Sequence, residues 1–356
     1  MLPDLLTPHE HLDLLPTEPV TPEETGQIIE IMRRFNSQQI KRGEELSGTT
    51  DWRHFTWRTI RLILRYARVL DMWTHPGIYQ FNDKVRFVEI MTGLGYHAPR
   101  TLFVEAQPFD PAELKQRILA TGWDTLLLKP KDGAKGRGLL RTRSVDEAVE
   151  HLIYTSYDYM VQPALPVVRD FRYMLYTDTA GRKWRVVYDK HCPSFLSDGR
   201  PLWKQVMDRK PALDRRGLRS LRDRYRHRTF EPIPAGEVLF IALSGNVAQG
   251  AQYLALTEQE TATIDRFMAV VKAEMETVSG APLNFFCLDL GATSMDLLTR
   301  PYDFAMLKRE MVFFEYQFFA NVVINSGEMD PEAFYDRMKA MYVRDAIART
   351  ADRHPA

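Results

Sequence analysis

The chain has 356 residues, of which 45% are hydrophobic and 11% aromatic, enough to build packed cores in two or three domains and to exclude a disordered chain. Lys plus Arg total 47 and so do Asp plus Glu, so a formal charge of zero provides no global attraction to nucleic acid or membrane. Two cysteines, Cys192 and Cys287, exclude a disulfide framework, and the N-terminus lacks the basic start of a signal peptide, so a soluble cytoplasmic protein is expected.

Residues 1 to about 80 are predicted to be mainly helical. Thr21 is a candidate N-cap, with Pro22 at the first helical position and Glu24 placed to complete a capping box. A second helix is predicted over "DWRHFTWRTIRLILRYARVLDMW" and a third over "NDKVRFVEIMTGLGY", ended by Gly93 and Gly95. The pattern then alternates. Strands are predicted near 101–104, 125–131 and 138–142, and helices at 111–121 and 145–153, the latter capped by Ser144. A strand follows in "YMVQPAL". "DFRYMLYTD" and "KWRVVYD" form two more strands joined by a turn at Asp178–Gly181. Residues 191–235 look irregular and rich in arginine. "EVLFIAL" is a strand, 257–279 a helix, "NFFCLDLG" and "VFFEYQFF" strands, and a last helix covers about 331–350. Grouped strands with interspersed helices imply an α+β arrangement in at least two lobes.

Three stretches carry chemistry. In "LLLKPKDGAKGRGLL", strand alternation puts Lys129 and Lys131 on one face with Leu127. Gly133, Gly136 and Gly138 permit a tight loop whose amides approach an anion. The spacing is not a P-loop, because Leu139 and Leu140 stand where Lys and Ser or Thr belong, and a solvated basic hairpin is the bland alternative. In the C-terminal strand pair, Asp289 shares a face with Cys287, and Glu315 with Gln317. Such oxygen donors in an aromatic setting suit Mg2+ completed by phosphates. In "YMVQPALPVVRDFRYMLY", Gln162 and Pro163 end a strand, and Asp170 and Arg172 share a face, with a surface ion pair between them as the plain alternative.

Together these residues resemble the ATP-grasp superfamily, from about Asn82 to Asn321, and most of all its branch with glutathione synthetase and the glutamate ligase of a ribosomal protein. The resemblance implies an α+β ATP-grasp fold, two α+β lobes gripping ATP, behind a mainly helical N-terminal region. It divides the chain into a helical region at 1–100, a small lobe with a glycine-rich lid at 101–165, a large lobe at 166–330 with a basic insertion at 191–235, and a C-terminal helix at 331–356. It gives Lys84, Lys129, Lys131, Gly133, Gly136 and Gly138 to the nucleotide phosphates, Gln162 to adenine and Asp170 to the ribose. Arg172, Lys190 and Asn246 take catalytic places, and Asp289, Glu315 and Gln317 the magnesium.

Three departures stand out. The usual metal strand ends in E-x-N, where this chain has Gln317; the Arg expected before Asn246 is absent, with Lys190 in a position to substitute; and relatives often begin with a βαβ lobe. The implied activity is an ATP- and Mg2+-dependent ligase that activates a carboxylate as an acylphosphate and joins it to an amine. A phosphoryl transferase and an inactive nucleotide-binding module remain as alternatives. Partners are a small-molecule or peptide carboxylate and an amine; an oligomer, a homodimer included, is left open.

From Asp208 to Phe230, nine Lys or Arg accompany three Asp. This run is either a solvated surface or a lid over anionic groups. Few aromatics interleave with it, which argues against nucleic acid. Cys287 is expected in the core, and the His191–Cys192 neighbours are poorly placed for a nucleophile pair.

Overall fold

The computed structural model describes residues 5–28, 30–31, 76–106, 108–131, 138–191, 194–209, 228, 230–240, 252–317 and 331–351. Gly133, Gly136, Cys192, Asn246, the helix expected at 51–73 and most of the basic run lie outside the described residues.

The strands are β1 Leu5–Leu6, β2 Leu102–Val104, β3 Leu126–Pro130, β4 Leu140–Thr142, β5 Tyr159–Pro163, β6 Arg169–Thr177, β7 Lys183–His191, β8 Ser194–Leu196, β9 Val238–Phe240, β10 Gln252–Leu254, β11 Phe285–Ala292 and β12 Met311–Tyr316. The helices that matter here are α1 Lys84–Gly93, α2 Pro111–Leu119, α3 Val145–Ile153, α4 Leu202–Arg209, α5 Glu258–Ser279, α6 Phe304–Glu310 and α7 Pro331–Ala351. The architecture is α+β.

Local chemistry fixes the helix ends. Asp83 accepts from the Val85 and Arg86 amides at the start of α1, and Asp110 from Ala112 at the start of α2. Ser144 caps α3 through Glu147 N–H, as its position in the sequence implies. Thr257 and Glu260 form a full capping box on α5, which stops at Gly280 with φ +66°. The Thr21 capping box also forms, with Thr21 N–H donating to Glu24 at 2.8 Å and Glu24 N–H to Thr21 Oγ1 at 3.1 Å.

A small antiparallel sheet has the order β2-β5-β3-β4. Leu126, Leu128, Tyr159 and Val161 turn one of its faces toward Leu114 and Ile118 of α2 and Ala148, Val149 and Leu152 of α3. Strand alternation leaves Lys129, Met160 and Gln162 on the other face.

The large sheet runs β1-β7-β6-β11-β12, with β10 also paired to β7. One face, carrying Phe171, Tyr173, Phe286, Leu288 and Phe313, is buried against Phe267, Met268 and Val271 of α5 and Phe87 and Met91 of α1. Met160 of the small sheet joins this core, so the uncovered side of the small sheet meets the large one. Each such fully buried aromatic or Leu stabilises the fold by roughly 1.5–3 kcal/mol relative to exposure. On the opposite face Met174, Tyr176, Trp184, Phe285 and Cys287 pack under Phe334, Met338, Met341 and Tyr342 of α7.

One expectation needs correction. Residues 191–235 are not uniformly irregular: β8 pairs with β9, and α4 buries Leu202 and Gln205 against them. Gln205 donates to Ser197 Oγ at 3.0 Å and to the Arg200 carbonyl at 2.7 Å, so its burial is satisfied. Within the N-terminal part, Leu5–Leu6 add a short parallel strand to β7. Two residues are too few to show any periodicity in sequence.

Candidate nucleotide and metal site

The site is built on the half of the large sheet that α7 leaves uncovered. Asp170 and Arg172 project from β6, Tyr188 and Lys190 from β7, Asp289 from β11 and Glu315 from β12. Register pairs Arg172 with both Tyr188 and Asp289, and Asp289 with Glu315, which sets these side chains on one face. A register irregularity between Asp289 and Leu290 adjusts the alternation just beyond the carboxylates.

Asp289 is the hub. Arg172 donates to it from Nε at 2.8 Å and from Nη2 at 2.9 Å, a planar fork on both oxygens. Lys190 Nζ lies 3.0 Å from Asp289 Oδ1 and 2.9 Å from Asp170 Oδ1. Burial alone would push the Asp289 carboxyl up, but Arg172 and then Lys190 hold it well below the usual carboxylate range. For Arg172 and Lys190, burial acts to lower the value, and the carboxylates outweigh it and raise both. Burial dominates at Asp170, which is pushed up to about 6 despite the pull of Lys190.

Glu315 lies 3.3 Å from Lys84 Nζ at the first position of α1. Gln317 follows on the same face. Its Nε2 donates to Asp289 at 3.3 Å and also to Glu315, so its amide nitrogen faces the carboxylates. Metal ligation by Gln317 as expected from sequence requires the amide turned over. Asp289 and Glu315, at opposed strand positions, are oxygen donors of the kind magnesium takes; no group of three or more His, Cys, Asp or Glu that could hold a metal ion occurs among the described residues. Mg2+ typically takes one or two carboxylates and completes its shell with water and phosphate oxygens.

The small sheet supplies the opposing side. Lys129 is part-buried, and desolvation lowers its pKa to about 8, opposed by the field of Glu315 and reinforced by that of Lys84. Lys129 is therefore close enough to sense both Lys84 and the carboxylate pair. Lys131 is held 2.8 Å from Asp83 and lies over the Phe103 ring at 5.2 Å. Gln162 is buried and donates to Thr101 Oγ1 at 2.6 Å, and the Thr101 hydroxyl donates to the Pro99 carbonyl at 3.0 Å. It stands on the Lys129 face of the small sheet. Gly138, where the described chain resumes, has φ +73° and its carbonyl accepts from Tyr159 Oη at 3.2 Å. A Cβ there would come within 2.8 Å of Pro130 Cγ and 2.9 Å of Tyr159 Oη, which explains the glycine.

Lys84, Lys129, Asp170, Arg172, Lys190, Asp289, Glu315 and Gln317 thus come together. Three residues escaped sequence reasoning: Asp83, Thr101 and Tyr188. Asp83 had a signal, because an Asp directly before a helical pattern is a preferred N-cap. Tyr188 is buried opposite Arg172 on β7, and only the register reveals that neighbour.

No family model matches the sequence, and no curated protein matches it. Among solved structures the chain is similar to the VanG D-Ala:D-Ser ligase from Enterococcus faecalis, at 11% identity and TM-score 0.42, covering 76% of this chain and 62% of that one. It is similar to a bifunctional glutathione synthetase from Pasteurella multocida, at 15% identity and TM-score 0.34, covering 67% of this chain but only 32% of that one. It is also similar to the D-cycloserine synthetase DcsG, at 14% identity and TM-score 0.41, covering 90% of this chain and 93% of that one. The chain therefore spans less than two thirds of the first two proteins. The three solved structures are thus a ligase and two synthetases.

Proposed function

We propose that the chain is an ATP- and Mg2+-dependent ligase that joins a carboxylate to an amine. The observation that supports this best is the meeting of two opposite sets of charge. Part-buried Lys129 and Lys84 stand beside Asp289 and Glu315, with Arg172 and Lys190 completing the face. A triphosphate with its metal satisfies both sets, which neither a neutral ligand nor an isolated metal does.

In this reading Lys84, Lys129 and Lys131 bind phosphates, and Gln162 lies at the adenine end of the small sheet. Asp289 and Glu315 hold the magnesium, with Gln317 as a third ligand once its amide is turned. The bound magnesium screens charge on the phosphate oxygens. The carboxylate oxygen attacks the γ-phosphorus as the bond to the β-phosphate oxygen breaks, leaving ADP and an acylphosphate. Arg172 and Lys190 spread the growing negative charge. The amine then attacks the acyl carbon, phosphate leaves, and the amine proton passes to phosphate or solvent. The glycine-rich loop, which includes Gly133, Gly136 and Gly138, excludes water from the acylphosphate, and Asn246 completes the catalytic set. The substrates are a small-molecule or peptide carboxylate and an amine.

The test is ATP consumption across a panel of amino acids and other carboxylates, with and without an amine. Free phosphate released in proportion to a new amide supports the ligase. A phosphorylated product that accumulates without phosphate release would replace it with a phosphoryl transferase. Absence of ADP binding in calorimetry with Mg2+ would remove both.

A further inference from the structure

We infer that the protein shields its own metal carboxylate with cations, so that a divalent cation is taken up only together with the polyphosphate that draws those cations away. The inference rests on the nucleotide-site reading above and concerns how that site is loaded.

A carboxylate offers about four acceptor positions. At Asp289 four donors are already in place: Arg172 Nε at 2.8 Å and Nη2 at 2.9 Å, Lys190 Nζ at 3.0 Å and Gln317 Nε2 at 3.3 Å. Gln317 also donates to Glu315, and Lys84 lies 3.3 Å from the same carboxylate. Both proposed metal carboxylates are therefore engaged by this chain's own donors.

A metal ion arriving alone must separate at least one donor from Asp289. It then leaves a buried guanidinium or ammonium short of its partner and adds two positive charges beside it. Arg172 and Lys190 are only 14% and 4% exposed in their side chains, so water replaces the lost carboxylate poorly. A polyphosphate changes this balance. Its oxygens accept from guanidinium and ammonium as well as a carboxylate does, so the same cations turn to the phosphate and leave Asp289 open. Metal and nucleotide then favour each other by the same factor, as linkage requires.

The design also explains why both cations sit on one carboxylate. Arg172 reaches Asp289 directly across the β6–β11 ladder, while Lys190 bridges Asp289 and Asp170 from β7. Each cation can leave Asp289 while a second anionic neighbour or an incoming phosphate keeps it neutralised.

The experiment titrates Mn2+ into the full chain and follows the free-ion electron paramagnetic resonance signal, alone and at saturating ADP. The wild-type chain is expected to bind Mn2+ at least about tenfold more tightly with ADP present, within the usual range of coupling between sites. Arg172→Met is expected to bind Mn2+ without ADP about tenfold more tightly than the wild type does, and its melting temperature to rise on adding Mn2+ alone, as binding linkage demands. Lys190→Met provides the same test if Arg172→Met does not fold. Equal Mn2+ affinity of the wild type with and without ADP overturns the inference, and so does the absence of any gain in the folded variant. ADP binding retained in those cases leaves the nucleotide-site reading standing. No ADP binding at any Mn2+ concentration overturns that reading and, with it, the inference.

Discussion

Arg172 and Asp289 face each other across two central strands and share two hydrogen bonds of 2.8 and 2.9 Å, so the same contact that builds the site also holds the sheet. Asp289→Asn leaves Arg172 and Lys190 buried against an uncharged amide. Breaking a buried pair by removing one partner typically costs about 3–5 kcal/mol. Urea unfolding is expected to show a loss of this size, alongside loss of any ATP turnover. A variant as stable as the parent would show that Arg172 is solvated.

Glu315→Ala separates chemistry from folding. Its partner Lys84 is 20% exposed and Glu315 23% exposed in their side chains, so their pairing is worth about 1 kcal/mol or less. The melting temperature is expected to stay close to the parent's while ATP turnover disappears. Normal turnover in this variant would remove Glu315 from the metal site.

Lys129 titrates where enzymes work. Its value of about 8 lies below that of an ordinary lysine because burial disfavours the cation. Between about 8 and the ordinary lysine value the unfolded chain binds more protons than the folded one, so this group makes stability rise with pH across that window. Phosphates favour the cation, so ADP binding above pH 8 is expected to take up a proton, and its affinity to fall as pH rises. Calorimetry in buffers of different ionisation enthalpy measures the uptake. Lys129→Met should abolish the pH dependence, and a dependence that survives would assign it elsewhere.

Asp83 has two separable tasks. One oxygen caps α1, and the other meets Lys131 at 2.8 Å. Asparagine caps a helix as well as aspartate does, while alanine loses about 1 kcal/mol. Asp83→Asn is expected to change unfolding free energy by a few tenths of a kcal/mol, the scale of an exposed ion pair, and Asp83→Ala by about 1 kcal/mol. Equal losses in the two variants would mean the ion pair, not the cap, is the stabilising contact.

Gly138→Ala places a side chain in left-handed backbone, which costs roughly 1–2 kcal/mol, and against Pro130 and Tyr159 as well. A lowered melting temperature with weakened ADP affinity is expected, because β3 and β4 are the two arms of the glycine-rich loop. An unchanged melting temperature would show that the turn relaxes freely.

Elements with strong local signals were legible in sequence. Ser144 announced its helix, and two-residue alternation set Asp170 with Arg172 and Glu315 with Gln317. Partners across strands were not legible. The plain expectation paired Asp170 with Arg172, whereas Lys190 takes Asp170 and Arg172 takes Asp289, because register is set by sheet order and not by neighbours in the chain. The helix Leu202–Arg209 was hidden by its surroundings, since arginines masked the Leu202, Gln205 and Val206 stripe. The direction of the Gln317 amide lies beyond any sequence pattern, because it is set by hydrogen-bond partners alone.

Cys287 stands two residues before Asp289 on the same strand and face, fully covered by Phe334, Met338 and Met341 of the terminal helix. A thiol reagent reaches its sulfur only when that helix lifts from the sheet. In a chain with Cys192 replaced by serine, the labelling rate of this one remaining thiol becomes a clock for the opening of the helix beside the carboxylates. Alkylation thereby reads out, in minutes or hours, a motion that an equilibrium melt averages away.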